Sequence, residues 1–257
     1  MTSTSTTPVG PSITSFRSSR TRPAPCLEGW ATLTALAQAT KRLRLGNLVT
    51  GIHYRHPPAV LANMAAAVDI ISDGRLELGI GAGWNEEESG AYGIELGSVK
   101  ERLDRFEEAC QVLIGLLSQE TTTFDGTYYQ LKDARNEPKG PQRPHPPICI
   151  GGSGEKRTLR IVAKYAQHWN FAGGTPEEFA HKRSVLASHC ADIGRDPAEI
   201  MHSAHVRLSE DHDYAKAIDE AAALAAEGLD LAIFYLPPPH TPAVLEPLAE
   251  AIRDSAL

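Results

Sequence analysis

Helical and extended segments alternate regularly after residue 26, and this order limits the chain to a small set of folds. Apolar side chains recur with helical spacing over Pro58–Ser72, and in the following segment Leu76–Gly81 they alternate with Glu77 and Gly79. Strands separated by helices are typical of β/α units around a parallel sheet. Six strands are predicted, over 43–50, 76–81, 147–150, 168–171, 200–208 and 229–236.

Local signals define several helix ends and one insertion. Ser98 and Glu101 form a predicted capping box for a helix that reaches about residue 118. Thr175, followed by proline and acids, predicts the start of another helix. Asp125–Gly126 predicts a hairpin within 121–138, which interrupts the β/α order. The helix over Pro58–Ser72 is expected to bury an apolar stripe of Val60, Met64, Ala67, Val68 and Ile71.

Charge and composition argue against several classes of protein. Lys and Arg number 25 against 32 Asp and Glu, and the net charge of −7 argues against a general nucleic-acid binder. The four cysteines lie far apart without a C-x-x-C pair, which is typical of a reduced, cytoplasmic protein. No apolar run approaches the roughly 20 residues that span a membrane. Residues 1–25 are rich in Ser and Thr and lack acids, so they are predicted to be disordered, with an organellar transit peptide as the weaker alternative.

A glycine-rich turn follows the strand Leu76–Gly81. Gly81 and Gly83 let the backbone approach a ligand closely, and Trp84 and Asn85 come next. The segment is not a dinucleotide-binding fingerprint, because the third glycine position of G-x-G-x-x-G falls on Trp84. Two interpretations stay open: a wall that faces a flat, phosphate-bearing cofactor, or a tight turn beside a buried aromatic residue.

Glu86 and Glu87 begin an acidic run directly after this turn. Acidic side chains at a helix N-terminus are favoured by the helix dipole, so one interpretation is a capped surface helix. The other is a carboxylate placed beside a cofactor. The sequence alone does not separate the two.

A second glycine turn, with Gly151, Gly152 and Ser153, lies between a predicted strand and a predicted helix. Such a turn presents unpaired N–H groups and a positive dipole end, which favours phosphate binding. Ser153 is not a nucleophile-elbow serine, because Glu155 occupies the position that completes G-x-S-x-G. An ordinary strand–helix turn is the alternative.

The end of the first strand, Thr50–Gly51, is a third candidate, because barrels build ligand sites at strand ends. Two histidine pairs, His53 with His56 and His202 with His205, have a three-residue spacing that suits metal ligands on a helix. The first pair lies in a predicted loop and the second on a predicted strand. No metal site is therefore predicted.

Taken in order, motifs along the chain resemble the bacterial-luciferase-like family, and within it the deazaflavin-dependent oxidoreductases. They are Leu43-Arg44-Leu45-Gly46, Val49-Thr50-Gly51, Tyr54-Arg55-His56-Pro57, Gly74-Arg75-Leu76-Glu77-Leu78-Gly79, Gly81-Ala82-Gly83-Trp84-Asn85, Glu101-Arg102-Leu103, Thr123-Phe124-Asp125-Gly126, Pro146-Pro147-Ile148, Gly151-Gly152 and Gly194-Arg195-Asp196-Pro197. The resemblance runs from Cys26 to the C-terminal helix, and its order makes it more specific than any single glycine motif.

This resemblance implies an α/β fold, the (β/α)8 TIM barrel, that binds coenzyme F420, or FMN in relatives, at the carboxyl ends of its strands. By position, the cofactor contacts would be Thr50, Gly51, Gly81, Gly83, Trp84, Asn85, Gly151, Gly152 and Ser153, the last three holding the phosphate. The implied reaction is hydride transfer between coenzyme F420 and a small-molecule organic substrate. Glu87, and less directly Glu86, is the nearby carboxylate for proton transfer.

One part of the family pattern is not recognisable in the sequence. Family members open with a strand, a helix and a second strand, and the residues before Pro25 do not resemble this unit. A closed barrel needs eight strands, so the six predicted strands indicate an incomplete barrel domain over residues 26–257. Free sheet edges would invite pairing with another chain, as in a homodimer. An FMN-dependent monooxygenase and a truncated, non-catalytic cofactor-binding remnant are the alternative functions.

Overall fold

The computed structural model describes residues 27–52, 57–237 and 241–255. The chain divides into two compact units, the first ending at Gly151 and the second beginning at Gly152. The Ser/Thr-rich segment over 1–25 and the loop with His53 and His56 lie outside the described residues. None of the helices in the described ranges is both long and apolar enough to cross a membrane.

Helices and strands alternate in the first unit, with one hairpin inserted. In chain order its elements are α1 (Gly29–Ala39), β1 (Leu45–Gly46), β2 (Thr50–Gly51), α2 (Pro58–Ser72), β3 (Leu76–Gly81), α3 (Glu86–Ala91), α4 (Val99–Ser118), β4 (Thr122–Asp125), β5 (Gln130–Ala134) and β6 (Ile148–Gly151). β1, β2 and β6 all pair in parallel with β3. β4 and β5 form a separate antiparallel pair, as predicted for the insertion.

The first predicted strand is divided into β1 and β2, which pair with successive parts of β3. Leu45 lies opposite Leu76, and Thr50 lies opposite Ile80. Between the two strands, residues 47–49 leave the regular strand path and include a cis peptide bond between Leu48 and Val49. We call residues 47–49 the bulge. Counting β1 and β2 as one position, the first unit provides three of the six predicted strand positions.

β3 is buried along its whole length, although its alternating sequence predicts only one apolar face. Glu77 is 6% exposed because the guanidinium of Arg44 pairs with its carboxylate at 2.8 Å. Gly79 lies against the backbone of the bulge, where a side chain would have no room. A carboxylate paired with the partly exposed Arg44 and a glycine therefore occupy the face that the pattern assigns to solvent.

The predicted apolar stripe of α2 is wrong. Val60 and Ile71 are 52% and 41% exposed, Ala67 is also exposed, and only Val68 of the predicted stripe is fully buried. The face that packs against α1 and α4 consists of Leu61, Ala62, Ala65, Ala66, Val68 and Asp69. Alanines allow the helices to approach closely, and a pattern based on the larger apolar side chains misplaces this face.

Arg75 connects the end of α1 to the start of β3. Its guanidinium donates hydrogen bonds to the carbonyl oxygens of Ala37 at 2.7 Å, Thr40 at 2.9 Å and Leu43 at 2.7 Å. Because the last carbonyls of a helix have no partner within it, this side chain caps α1 from outside.

The second unit contains the remaining β/α elements. They are α5 (Thr158–Tyr165), β7 (His168–Phe171), α6 (Pro176–Asp192), β8 (Met201–Arg207), α7 (Tyr214–Ala226), β9 (Leu231–Tyr235) and α8 (Pro242–Asp254). β7 pairs in parallel with β8, and β8 with β9. The predicted α/β class with parallel strands is thus confirmed in each unit.

One face of β7 and β8 packs against α6 through aromatic rings. Trp169 stacks on Phe179 with ring centroids 5.7 Å apart, and His202 meets Trp169 edge-on at 5.8 Å. Capping boxes begin α6 at Thr175 and, in the first unit, α4 at Ser98, as the sequence predicts. The aromatic part of the core of the second unit therefore lies between its sheet and α6.

Candidate cofactor site

Glycines end three neighbouring strands of the first unit at the same edge. Gly51 at the end of β2 lies opposite Gly81 at the end of β3. Ile80 lies opposite Ile150 on β6, so Gly151 follows at the level of Gly81. Carboxyl ends of parallel strands are where barrel enzymes bind their ligands. Three strand ends without side chains offer a flat backbone surface to a planar group.

The bulge is fitted against the glycines of β3. A Cβ atom on Gly79 would lie 1.7 Å from the carbonyl oxygen of Asn47, and one on Gly81 would lie 2.8 Å from Cγ2 of Val49. No side chain fits at Gly79 unless the bulge moves. From the sequence, these glycines are explained by the approach of a ligand. The fold of the strand end already requires them.

Thr50 lies next to the bulge and is 1% exposed. Its hydroxyl accepts a hydrogen bond of 3.2 Å from Nε1 of Trp30 on α1. This bond fixes the first helix to the strand end. The role of Thr50 as a cofactor contact stays a prediction, and the side chain has a structural partner of its own.

Asn47 is a polar residue of this region that the sequence analysis missed. It is 2% exposed, and within the described ranges neither Oδ1 nor Nδ2 has a hydrogen-bond partner. A buried polar group without a partner costs about 1 to 3 kcal/mol, so such groups are rare in folded proteins. The sequence feature that could have identified this residue is an asparagine within an apolar strand segment. An amide left unpaired in the bulge is suited to a ligand that provides the missing partner.

The turn after β3 is held by α3 and α4. Asn85 is the N-cap of α3, and its side chain accepts a hydrogen bond of 3.0 Å from the backbone N–H of Glu88. Arg102 on α4, 7% exposed, donates to the carbonyl oxygen of Gly83 at 3.2 Å. Arg102 belongs to the family motif Glu101-Arg102-Leu103, but the sequence alone assigns it no role at this turn. The local geometry therefore agrees with the interpretation of the acidic run as the start of a capped helix.

The predicted carboxylates of this run lie on the surface. Glu86 and Glu87 are both exposed, and Glu86 lies 3.9 Å from the guanidinium of Arg102. Trp84 is 69% exposed, whereas Glu88 is the buried acid of the run. The proton-transfer role of Glu86 and Glu87 stays a prediction.

The second predicted glycine turn continues into the second unit. Gly152 has a φ of +121°, donates its N–H to the carbonyl of Asn170 at 3.1 Å and accepts from Nε1 of Trp169 at 2.8 Å. Both of its backbone groups are thus used by β7. Ser153 is half-buried, and α5 begins without a side-chain cap at Arg157. The phosphate-binding role of Gly151, Gly152 and Ser153 stays a prediction.

The second histidine pair points to opposite faces of β8. His202 packs against Trp169 and Phe179, whereas His205 contacts Tyr235 on β9 with ring centroids 4.8 Å apart. The two imidazoles therefore do not converge on one ion.

Comparison with known proteins identifies monooxygenases and dehydrogenases among the relatives. Pyrimidine monooxygenase RutA of Methylobacterium radiotolerans is 37% identical over 175 residues, which are 66% of this chain and 44% of that protein. The F420-dependent glucose-6-phosphate dehydrogenase of Amycolatopsis mediterranei is 30% identical over 202 residues, 76% of this chain and 58% of that protein. The chain spans about half the length of the curated relatives it matches.

Solved structures of two F420-dependent enzymes have the same fold. An F420-dependent secondary alcohol dehydrogenase in complex with an F420–acetone adduct matches with a TM-score of 0.78 at 21% identity, over 90% of this chain and 86% of that one. The F420-dependent tetrahydromethanopterin reductase from Methanopyrus kandleri gives 0.74 at 16% identity, over 88% and 85%. The fold is thus of the luciferase-like TIM-barrel type, incomplete because the described residues provide six strand positions where a closed barrel has eight.

The family itself follows from the sequence profile of luciferase-like monooxygenases, which matches residues 14–254. This match covers most of the chain and agrees with the fold of the structural neighbours. The chain therefore belongs to the luciferase-like monooxygenase family.

Proposed function

We propose that this protein is an oxidoreductase that transfers a hydride between coenzyme F420 and a small organic substrate. The observation that carries the proposal is the set of glycine strand ends, Gly51, Gly81 and Gly151, beside a bulge with the unpaired amide of Asn47. A planar ring needs a surface that is free of side chains, and it needs polar partners for its edge. This part of the first unit offers both. The F420-dependent dehydrogenases among the relatives support the same coenzyme.

The residues present fit a deazaflavin. The glycine backbone would support one face of the ring system, and the amide of Asn47, with a donor and an acceptor, matches a ring edge that carries carbonyl and N–H groups. Gly83, Trp84 and Asn85 would shape the neighbouring wall. When bound, the coenzyme supplies the two-electron chemistry, and the protein binds and orients it. In the second unit, the proposal assigns a phosphate to the turn of Gly152 and Ser153. Because the N–H of Gly152 is already donated to Asn170, Gly152 would allow the close backbone approach, and Ser153 would provide donors.

A fluorescence titration of the purified chain with coenzyme F420 tests the binding step. We expect saturable quenching of the coenzyme, and we expect Asn47→Leu to weaken binding by about tenfold, because one charge-neutral hydrogen-bonding partner is lost. Equal affinity of the wild type and this variant would contradict the assignment of Asn47. The absence of any saturable signal would contradict the proposed coenzyme.

Proton transfer is assigned to Glu87, with Glu86 as the second choice. Glu87→Gln is expected to lower kcat by about 10²-fold or more with little change in KM, as for the loss of a general acid or base. Glu246→Gln provides a matched control, since Glu246 is an exposed acid on α8. Unchanged kcat in Glu87→Gln would exclude the residue from the reaction.

A second candidate function is FMN-dependent oxygenation. It is favoured by the 37% identity to pyrimidine monooxygenase RutA. Reconstitution with FMN and with coenzyme F420 in parallel distinguishes the two: tighter binding of FMN with oxygen consumption would overturn the leading proposal. Binding of coenzyme F420 without turnover of any alcohol or aldehyde in a broad panel would instead indicate a cofactor-binding remnant.

A further inference from the structure

A polar cluster occupies the face of β8 that is turned away from the aromatic core of the second unit. Alternate residues of a strand share a face, so Ser203, His205 and Arg207 lie on one side and His202 on the other. Arg207 lies directly opposite Tyr235 in the register of β8 and β9. These two residues end their strands, which places the cluster at the carboxyl edge of this sheet.

Two side chains of this cluster, His205 and Arg207, both contact the ring of Tyr235. The imidazole of His205 lies 4.8 Å from the ring centroid of Tyr235, and the guanidinium carbon of Arg207 lies 5.6 Å from the same centroid. Tyr235 therefore contacts a cation and an imidazole at once. We call His205, Arg207 and Tyr235 the strand-end cluster.

Two groups of the strand-end cluster have unused binding capacity. Nε2 of His205 is buried and has no hydrogen-bond partner among the described residues, although the ring also bonds to the backbone of Ala172. Arg207 is exposed, and no carboxylate in the described ranges forms an ion pair with it. A guanidinium presents a planar set of donors that suits the two oxygens of a carboxylate.

The charge of the strand-end cluster limits the class of ligand. Burial, and then the nearby Arg207, lower the pKa of His205 to about 4, against a smaller opposing effect of a hydrogen bond with the Ala172 backbone. The imidazole is therefore neutral near neutral pH, and the cluster carries the single positive charge of Arg207. One positive charge balances a monoanion, whereas a phosphate monoester would bring nearly two negative charges.

From this geometry we infer that His205, Arg207 and Tyr235 bind the carboxylate of an organic acid. Arg207 provides the charge and the paired donors, and the hydroxyl of Tyr235 provides a further hydrogen bond, while the neutral ring of His205 packs beside the carboxylate and reports its binding. The site is argued from residues of the second unit alone, and it selects ligands that carry a carboxylate. The binding site itself does not depend on the coenzyme.

Histidine-labelled NMR of the full chain without coenzyme tests this assignment. The probes are a short aliphatic monocarboxylate, the amide of the same length and inorganic phosphate, and His205→Gln identifies the signal. We expect the carboxylate to shift the His205 signal saturably and the amide to leave it unchanged. Arg207→Gln is expected to weaken carboxylate binding by at least about tenfold, in line with a charge-assisted hydrogen bond. Arg253→Gln, an exposed arginine on α8, is the matched control with unchanged binding.

Three outcomes would overturn the inference: no saturable shift with the carboxylate, equal affinity in Arg207→Gln, or tighter binding of phosphate than of the carboxylate. Because Arg207 is exposed, its substitution is expected to leave the unfolding midpoint unchanged, which separates a binding defect from misfolding. A chain that binds carboxylates here but fails to bind coenzyme F420 would retain this site and lose the proposed function. A chain that binds coenzyme F420 but no carboxylate would keep the proposed coenzyme and contradict the carboxylate site.

Discussion

At the residue scale, two buried asparagines of the first unit differ in whether their amides are hydrogen-bonded, and this difference separates a role in folding from a role in binding. Asn47 is 2% exposed, and its amide has no partner in the part of the chain that the structure describes. Asn136 is 5% exposed, accepts a hydrogen bond from Asn63 at 3.3 Å and donates to the carbonyl of Ala62 at 3.5 Å. Only the amide of Asn136 contributes to the stability of the coenzyme-free chain. The unpaired amide of Asn47 lowers that stability, so folding alone does not explain its presence.

Replacement of each asparagine by leucine should therefore change stability in opposite directions. Asn47→Leu removes an unpaired amide and is expected to stabilise the coenzyme-free chain by about 1 kcal/mol. Asn136→Leu leaves the partners of that amide unsatisfied and is expected to destabilise it by about 1 to 3 kcal/mol. Urea unfolding measures both free energies. Destabilisation by Asn47→Leu would show that its amide has a partner after all.

His205 should make the stability of the chain depend on pH. Its pKa is lowered from 6.5 to about 4 in the folded chain, first by burial. Below its unfolded pKa the unfolded chain binds a proton that the folded chain does not, so the contribution of neutral His205 to stability is lost as the pH falls towards about 4. Relative to His205→Gln, the wild type should lose about 2 kcal/mol between about pH 7 and about pH 5.

This difference is measured by urea unfolding of both proteins at each pH. Groups that titrate independently of His205 cancel in the comparison, and His202 lies on the other face of β8. Parallel pH profiles of the two proteins would show that the folded and unfolded pKa values of His205 are equal.

At the scale of a single element, β3 shows how a strand can be buried on both faces with a half-polar sequence. Its glycines accept the backbone of the bulge, and the carboxylate of Glu77 is paired with Arg44. Gly79→Ala would place a methyl group against the carbonyl oxygen of Asn47. We expect it to destabilise the chain by about 3 kcal/mol or more, because the bulge must move or the strand pairing must break.

Gly90→Ala is the matched control for this substitution. Gly90 lies within α3, and a Cβ atom added there would meet nothing within 4 Å. This change should leave stability unchanged or raise it by up to about 1 kcal/mol, since alanine favours a helix. Thermal unfolding of both variants checks the contrast, and similar midpoints would mean that β3 tolerates a side chain at Gly79.

Elements defined by local chemistry could be predicted from the sequence, and those defined by tertiary packing could not. α4 and α6 begin where Ser98 and Thr175 predict, because a capping box involves only neighbouring residues. The buried face of α2 was misassigned, since closely packed alanines set it. The division of the first strand follows from the contact of the bulge with Gly79, which involves residues far apart in the sequence.

The candidate site shows the same limit. Glycines at Gly51, Gly81 and Gly151 were recognised from the family pattern, and the structure places them on three adjacent strand ends. Asn47 was missed because an unpaired amide is visible only once its surroundings are known. His205 was considered only as a metal ligand, since nothing in the sequence brings it next to Tyr235.

At the scale of the whole molecule, buried cysteines allow the packing of both units to be checked in one sample. Cys110 and Cys149 belong to the first unit and Cys190 to the second, and all three are free thiols with at most 2% exposure. Burial raises the pKa of Cys110 well above its usual range, which disfavours the reactive thiolate.

All three thiols should therefore react slowly with a thiol reagent in the native chain and rapidly in urea. Mass spectrometry of the labelled peptides follows each cysteine separately. Rapid labelling of Cys190 alone would show that the second unit is not packed as described. Rapid labelling of Cys110 or Cys149 would show the same for the first unit.

The lack of room for a Cβ atom between Gly79 and the backbone of Asn47 also bears on how this lineage can evolve. Gly79 is required by the fold, so selection retains it whether or not the protein still has a reaction to perform. The amide of Asn47 weakens the fold and is worth keeping only while something binds to it. In descendants that have lost the ancestral activity, position 47 should drift towards apolar residues while position 79 stays glycine. Conservation of position 79 would thus reflect the fold, and conservation of position 47 would reflect binding.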